Sequence, residues 1–530
     1  MRIVNFKLGS RGAPKKPRAP KPRIKPRAPK KYSGAFPLRP HPHLYEISTW
    51  AWLEKLSARA GRLITVADIP DTEWDALAHL GFNAIWLMGV WRRSPESRRI
   101  ALADPSNVPQ YDRALPGWKP ADVVGSPYSV AEYAPDPRIG SWDELDGVRE
   151  KLHARGMALF LDFVGNHTAL DHPWTRDHPD FYVQGAQGDF DNDPSLFYRI
   201  ETPKQPLFLA HGKDPYFPPW TDTLQLNHFS LPMRAAQLAT LRMIAQHCDA
   251  VRCDMAMLHL NDIFGKNWSR LLKGTNPPAT EFWAEVRLAV PNLILLAEAY
   301  WGTERRLLDL GFSFAYDKEL YDAVRDVVLP NVRSRLNDDL AYQSHLTRFL
   351  ENHDESRTAA VFGAERLASA ATLMGTLPGM RLYHQGEFDG SKIHLPITLR
   401  MAADETPDPS AAAFFAKILR ITAEDVFHRG AWNLLTVTPE GDAPPDGLIV
   451  YEWASENSWK VIAVNLAGVP SQGRVHFGGR SLPAKEYVFY DELNDVRYVR
   501  AGDEMRGAGL FVRREGFEAH IFDVSPLPQP

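Results

Sequence analysis

At 530 residues the chain exceeds what one simple core supports and implies two or three domains. Its 44% hydrophobic and 24% charged content is that of a globular protein, and no apolar run is long enough to cross a bilayer. Thirteen of the 61 Lys and Arg fall in the first 45 residues, which hold no Asp or Glu; the rest carries 48 cations against 65 acids, an acidic body that argues against nucleic-acid binding by the protein as a whole.

Residues 1–42 read as a disordered, basic, proline-rich arm. Residues 11–31 alternate Pro with Lys and Arg and hold almost nothing to bury. No aromatic residue interleaves these charges to stack on bases, so a solvated extension is expected rather than a polyanion-binding arm. The start, Met-Arg-Ile-Val-Asn-Phe-Lys, has no apolar signal core, and a cytoplasmic protein is expected. Cys248 and Cys253 are the only cysteines; they exclude a disulfide framework and read as small buried residues.

From residue 43 strands and helices alternate. Residues 44–52 read as a first strand, 71–80 as a helix and 82–88 as a buried strand. Helix 142–155 stops at Gly156, a good C-terminal signal, and leads into strand 157–164. Helix 233–247 precedes strand 250–253, and helix 282–290 precedes strand 293–297. Further strands are expected at 312–316, 346–349 and 380–383. Continuous apolar strands alternating with helices predict an α/β (β/α)8 TIM barrel over residues 43–167 and 228–428. Residues 168–227 are too long for a plain connection and are rich in aromatics; they are read as an inserted domain whose rings mostly form its own core. Residues 429–530 carry short strands between Gly, Pro and Asp turns, at 432–437, 448–453, 459–464, 486–490 and 519–522, and predict a C-terminal antiparallel β-sandwich.

Four segments place acidic or histidine residues at strand ends: Asp162-Phe-Val-Gly-Asn-His167, Val251-Arg-Cys-Asp254, Leu295-Leu-Ala-Glu298 and Phe349-Leu-Glu-Asn-His-Asp354. A barrel gathers strand ends at one mouth. Alternation puts Arg252 and Asp254 on one face, where the arginine is expected to keep the carboxylate ionised. Glu298 has no adjacent cation, and a partly desolvated carboxyl with a raised pKa suits a proton donor. His167, His353 and Asp354 could grip hydroxyl groups.

These motifs, with Gly81-Phe-Asn-Ala-Ile-Trp86, the stretch from Tyr128 to Gly140 and Gln225-Leu-Asn227, resemble the α-amylase superfamily, glycoside hydrolase family 13, over roughly residues 43–425 and the trailing β region. The resemblance implies Asp254 as nucleophile, Glu298 as general acid/base and Asp354 as transition-state stabiliser. It implies Arg252 orienting Asp254, with His167, His353 and Tyr128 on the sugar and Asp162 and Asn166 as supporting residues. Many members carry Lys-His where Met257 and Leu258 stand here, and His259 is one place late. That shift argues against the calcium site those members build near Asn166, so no cofactor and no metal is expected. Glu355 and Arg357 resemble members that act on short oligosaccharides. A retaining α-glycoside hydrolase of short gluco-oligosaccharides is the leading expectation; a transglycosylase or isomerase of the same superfamily is the alternative, and a catalytically silent glucan-binding scaffold the alternative of another class.

Overall fold

The structure is a computed structural model and describes residues 36–528. The expectations for the basic arm therefore lie outside the described residues, apart from its last few positions. Among the described residues no helix is long and apolar enough to cross a membrane.

Eight strands close a parallel barrel: β1 (His43–Ser48), β2 (Ala84–Met88), β3 (Ala158–Phe163), β4 (Ala250–Cys253), β5 (Ile294–Ala297), β6 (Phe314–Tyr316), β7 (Leu346–Arg348) and β8 (Met380–His384). Each pairs with its sequence neighbour, and β8 returns to β1. The barrel is built from apolar runs such as Ala-Ile-Trp-Leu-Met in β2, buried at every position because helices cover the outer face.

The first strand is shorter than expected. Its last pair is Ser48 with Met88, and Thr49–Ala60 is helix. The apolar run continues there at helical spacing, with Trp52, Leu53 and Leu56 buried against the core.

The long excursions leave from β2, β3 and β8. After β2 come two helices that the sequence reading did not find, Pro95–Ala103 and Val108–Ala114. Between β3 and β4 a three-stranded antiparallel sheet forms from Gln184–Gly185, Phe197–Ile200 and Leu207–Ala210, and Thr223–Gln225 returns to pair with His167–Ala169. Among the insert's aromatics, Phe181, Tyr182 and Phe197 are buried, while Tyr216 and Phe217 are each 70% exposed.

Beyond Thr422 the chain forms a six-stranded and a three-stranded antiparallel sheet. The expected strand 432–437 is two strands: Ala431–Leu434 joins the larger sheet and Thr436–Pro439 the smaller. In Leu448–Ala454, Ile449, Tyr451 and Trp453 face the barrel core, whereas Leu448 and Val450 join the core shared with the smaller sheet. The barrel contact is specific. Trp453 Nε1 donates to the Thr376 carbonyl at 2.7 Å, and Tyr451 and Thr376 hydroxyls meet at 2.5 Å. Trp453 is wholly buried, so Trp453→Ala is expected to cost about 3–5 kcal/mol, read as a lower urea midpoint; an unchanged midpoint would show the sheet and barrel to be energetically independent.

Candidate active site

Strand register builds the site. Cys253 pairs with Ala297 across β4 and β5, so the next residues, Asp254 and Glu298, stand side by side at the rim. Backbone bonds fix them: Asp254 N–H donates to the Phe163 carbonyl at 2.9 Å and Glu298 N–H to the Cys253 carbonyl at 3.1 Å. Two positions below Asp254, Arg252 is level with Asp162 on β3.

Arg252 is fully buried. Its guanidinium lies over the rings of Trp86, Tyr128 and Tyr316 at 5.5, 5.2 and 5.8 Å, an aromatic cage that favours a cation. Nη1 donates to Asp254 Oδ1 at 2.7 Å. Nη2 lies 2.8 Å from Glu298 Oε2 but off the hydrogen-bond axis, so it attracts this carboxyl without binding it firmly. One cation therefore serves two buried acids. Burial raises the Asp254 pKa, with Arg252 pulling it back, so the net direction is opposite to the one expected from the arginine alone. Burial raises Glu298 further, to about 7, and Arg252 only partly opposes it.

Glu298 also accepts from the Tyr300 hydroxyl at 2.7 Å and from Met255 N–H at 2.6 Å. Met255 has φ 44°, a left-handed conformation that costs a non-glycine residue about 1–2 kcal/mol. That turn is what aims its N–H at Glu298.

His353 bridges β1 and the mouth. Its Nδ1 is 2.5 Å from Glu46 Oε1, and its Nε2 is 3.1 Å from Asp354 Oδ2. Desolvation disfavours a charged ring, but carboxylates at both nitrogens outweigh it and hold His353 as an imidazolium. Against the upward push of its low-dielectric surroundings, that imidazolium keeps the Asp354 carboxyl below the usual carboxylate range. The Asp354 side chain is 46% exposed and so available to a ligand. Tyr128 stacks on His353 with ring centroids 5.1 Å apart.

His167 uses both nitrogens within the protein. Nε2 donates to the Tyr128 carbonyl at 3.0 Å, and Nδ1 accepts from Asn166 Nδ2 at 3.3 Å, so the ring is neutral. Asn166 in turn clasps Gln225: Gln225 Nε2 donates to Asn166 Oδ1 at 2.9 Å, which ties the returning insert to the end of β3. Asp162 accepts from Trp86 Nε1 at 3.2 Å and Gly89 N–H at 2.7 Å, which staples β2 to β3.

Above these residues is a cavity of about 510 Å³ lined by Tyr128, His167, Asp254, Glu298, His353 and Asp354. Arg252, Asp162 and Asn166 lie beneath it, all but inaccessible. The structure thus brings together the nine residues singled out from the sequence. Sequence reasoning missed Glu46, Tyr300 and His394, whose Nε2 donates to the His353 carbonyl at 2.8 Å. The signal for Glu46 is a lone carboxylate between Leu44-Tyr45 and Ile47 in the first strand, which demands a buried partner.

A family model described as alpha amylase, catalytic domain, matches residues 72–254. Alpha-amylase MalA of Haloarcula japonica is 24% identical over 424 residues, covering 78% of this chain and 54% of that protein. An alpha-glucosidase of Culex pipiens is 22% identical over 49% of this chain and 52% of its own. The chain thus spans about half the length of these curated relatives. The maltogenic alpha-amylase AmyB of Thermotoga neapolitana shares the fold, with TM-score 0.64 and 18% identity over 91% of this chain and 98% of that one. The match to the alpha-amylase catalytic-domain model runs through β2, β3 and β4 to Asp254.

Proposed function

We propose that the protein is a retaining α-glycoside hydrolase of short α-linked gluco-oligosaccharides. The observation that carries this reading is the single guanidinium of Arg252 between Asp254 and Glu298. Asp254 is its hydrogen-bonded anion and acts as nucleophile at the anomeric carbon. Glu298, with a pKa of about 7, keeps a proton to give to the departing glycosidic oxygen. The C–O bond breaks as an ester forms on Asp254. Glu298, now ionised, takes a proton from water, which attacks the same carbon and releases Asp254. Asp354 and the His353 imidazolium bind sugar hydroxyls, and Tyr128 offers an apolar face.

Retention is supported by register. Asp254 and Glu298 end neighbouring strands at one level, and adjacent strands lie about 4.7–4.9 Å apart. That start, with one guanidinium fork spanning both carboxyls, suits the roughly 5–5.5 Å separation of retaining pairs better than the roughly 6.5–9.5 Å of inverting ones. Relatives named as an alpha-amylase and an alpha-glucosidase agree with the reaction class.

We further propose that activity is independent of calcium. Calcium takes six to eight oxygen ligands. Asn166 Oδ1 is already engaged by Gln225. The His259 ring is enclosed by His228, Phe282 and Trp283, with ring centroids 4.3, 5.5 and 4.6 Å away, and the side chain offers no oxygen ligand. The donor set does not fit the ion.

Asp254→Asn is expected to abolish turnover of maltotriose without changing the melting temperature; normal turnover would refute the assignment. For the native protein, Glu298 is competent when protonated, so kcat/KM should fall as pH rises through about 7. Glu298→Gln should lower kcat about 10²–10⁴-fold on maltotriose, lose that alkaline limb, and act better on an α-glucosyl fluoride, whose leaving group needs no proton. An alkaline limb that persists in Glu298→Gln would assign the acid elsewhere. Product sizing in the same assay separates hydrolysis from transfer, since transfer gives products longer than the substrate. Treatment with a calcium chelator should leave both rate and melting temperature unchanged; a marked loss of either would restore the ion.

A further inference from the structure

The rim of the barrel is built unevenly. Beyond β5, β6 and β7 the connections are short, and helices begin at Glu304, Lys318 and Thr358. The long excursions leave from β2, β3 and β8, and they join one another above the site. Ser97, in the first helix after β2, donates to Asp222 of the insert at 2.6 Å. Ser129 donates to the Asp222 carbonyl at 2.7 Å. At the other flank Tyr111 and Thr398 hydroxyls meet at 2.7 Å. There Val124 N–H donates to the Thr398 carbonyl at 2.8 Å, and Arg400 N–H to the Asp122 carbonyl at 2.9 Å. Tyr111, Val123 and Leu399 fill the seam as a small apolar core of their own. The three excursions thus form one continuous wall around the side of the cavity above β8, β1, β2 and β3, hydrogen-bonded at each joint.

The chemistry tells which end of a substrate meets that wall. In the ring of eight strands β5 lies opposite β1. Glu298, just past the end of β5, gives its proton to the departing oxygen, so the leaving sugar lies toward β4 and β5, where Met255 and Glu298 border the cavity. The retained sugar lies on the opposite side, toward the wall. In a glycan the retained side of the cleaved bond carries the non-reducing end. Asp104, Asn107 and Gln110 line the cavity from the wall and supply polar partners for the free hydroxyls of a terminal ring. Gln110 of the Val108–Ala114 helix and Pro396, Ile397 and Thr398 border the cavity at the same flank.

We propose that this wall makes the site blind at its retained-sugar end, so that the enzyme acts only from non-reducing chain ends and does not cut inside a chain. The proposal rests on the assignment of Asp254 and Glu298 as the reacting pair. Two substrates test it in the full-length protein: maltoheptaose, and maltoheptaose whose non-reducing terminal ring is capped as its 4,6-ethylidene acetal, with products separated by size. The expected result is turnover of the free chain and a kcat/KM at least about a hundredfold lower on the capped one. Comparable turnover of both overturns the blind wall and leaves the hydrolase reading intact, since cleavage then occurs at internal bonds. Turnover of neither removes the hydrolase reading, and this proposal falls with it.

Discussion

A single buried cation, Arg252, is the constraint on which the rest of the site depends. A guanidinium withdrawn from water is costly unless charge and geometry compensate it. Here three aromatic faces surround it and two carboxyls flank it. The compensation is unequal: a hydrogen bond to Asp254, a misaligned contact with Glu298. In a low-dielectric pocket one cation does not hold two neighbouring carboxylates equally ionised. The acid with the poorer contact keeps its proton longer. Difference in role between two chemically similar side chains thus follows from the placement of a third.

That placement is a property of the barrel. Arg252 can reach both acids because β4 and β5 are parallel, adjacent and in register, and because side chains two apart on a strand share a face. A slip of one residue would send Arg252 into the helical shell and Cys253 into the mouth. The pressure against such a slip comes from the bulk of the protein: Val251 and Cys253 are buried in the outer core, as are Leu295 and Ala297. Hydrophobic packing around the barrel therefore sets the electrostatics at its rim. His353 repeats the theme across the ring, clamped between Glu46 of β1 and Asp354 beyond β7.

Much of this was legible in the sequence because its periodicity is strong. Continuous apolar runs ending in Asp, Glu or His mark the buried strands and put the reactive groups at one mouth. What escaped has physical reasons. The Pro95–Ala103 and Val108–Ala114 helices are short, carry Pro and Arg, and bury only two residues each, so they lack a wide apolar stripe. The strand expected at 44–52 ends instead at Ser48, because Trp50, Trp52 and Leu53 continue the apolar run into a helix, where composition looks the same and only spacing changes. Strands Ser471–His476, Val496–Ala501 and Leu510–Arg514 carry arginines at partly exposed positions and resemble loops in composition. The net direction of the Asp254 pKa was not readable either, since burial depth belongs to the whole fold and not to a neighbour in sequence.

The central claim is that, of the two carboxyls bridged by Arg252, only Asp254 attacks carbon. It is tested most directly by trapping the intermediate with a 5-fluoro-α-glucosyl fluoride and mapping the adduct by peptide mass spectrometry. The account predicts a single glycosyl ester on Asp254. An ester on Glu298, or continued turnover of that reagent through an enzyme that never becomes covalently labelled, would contradict it.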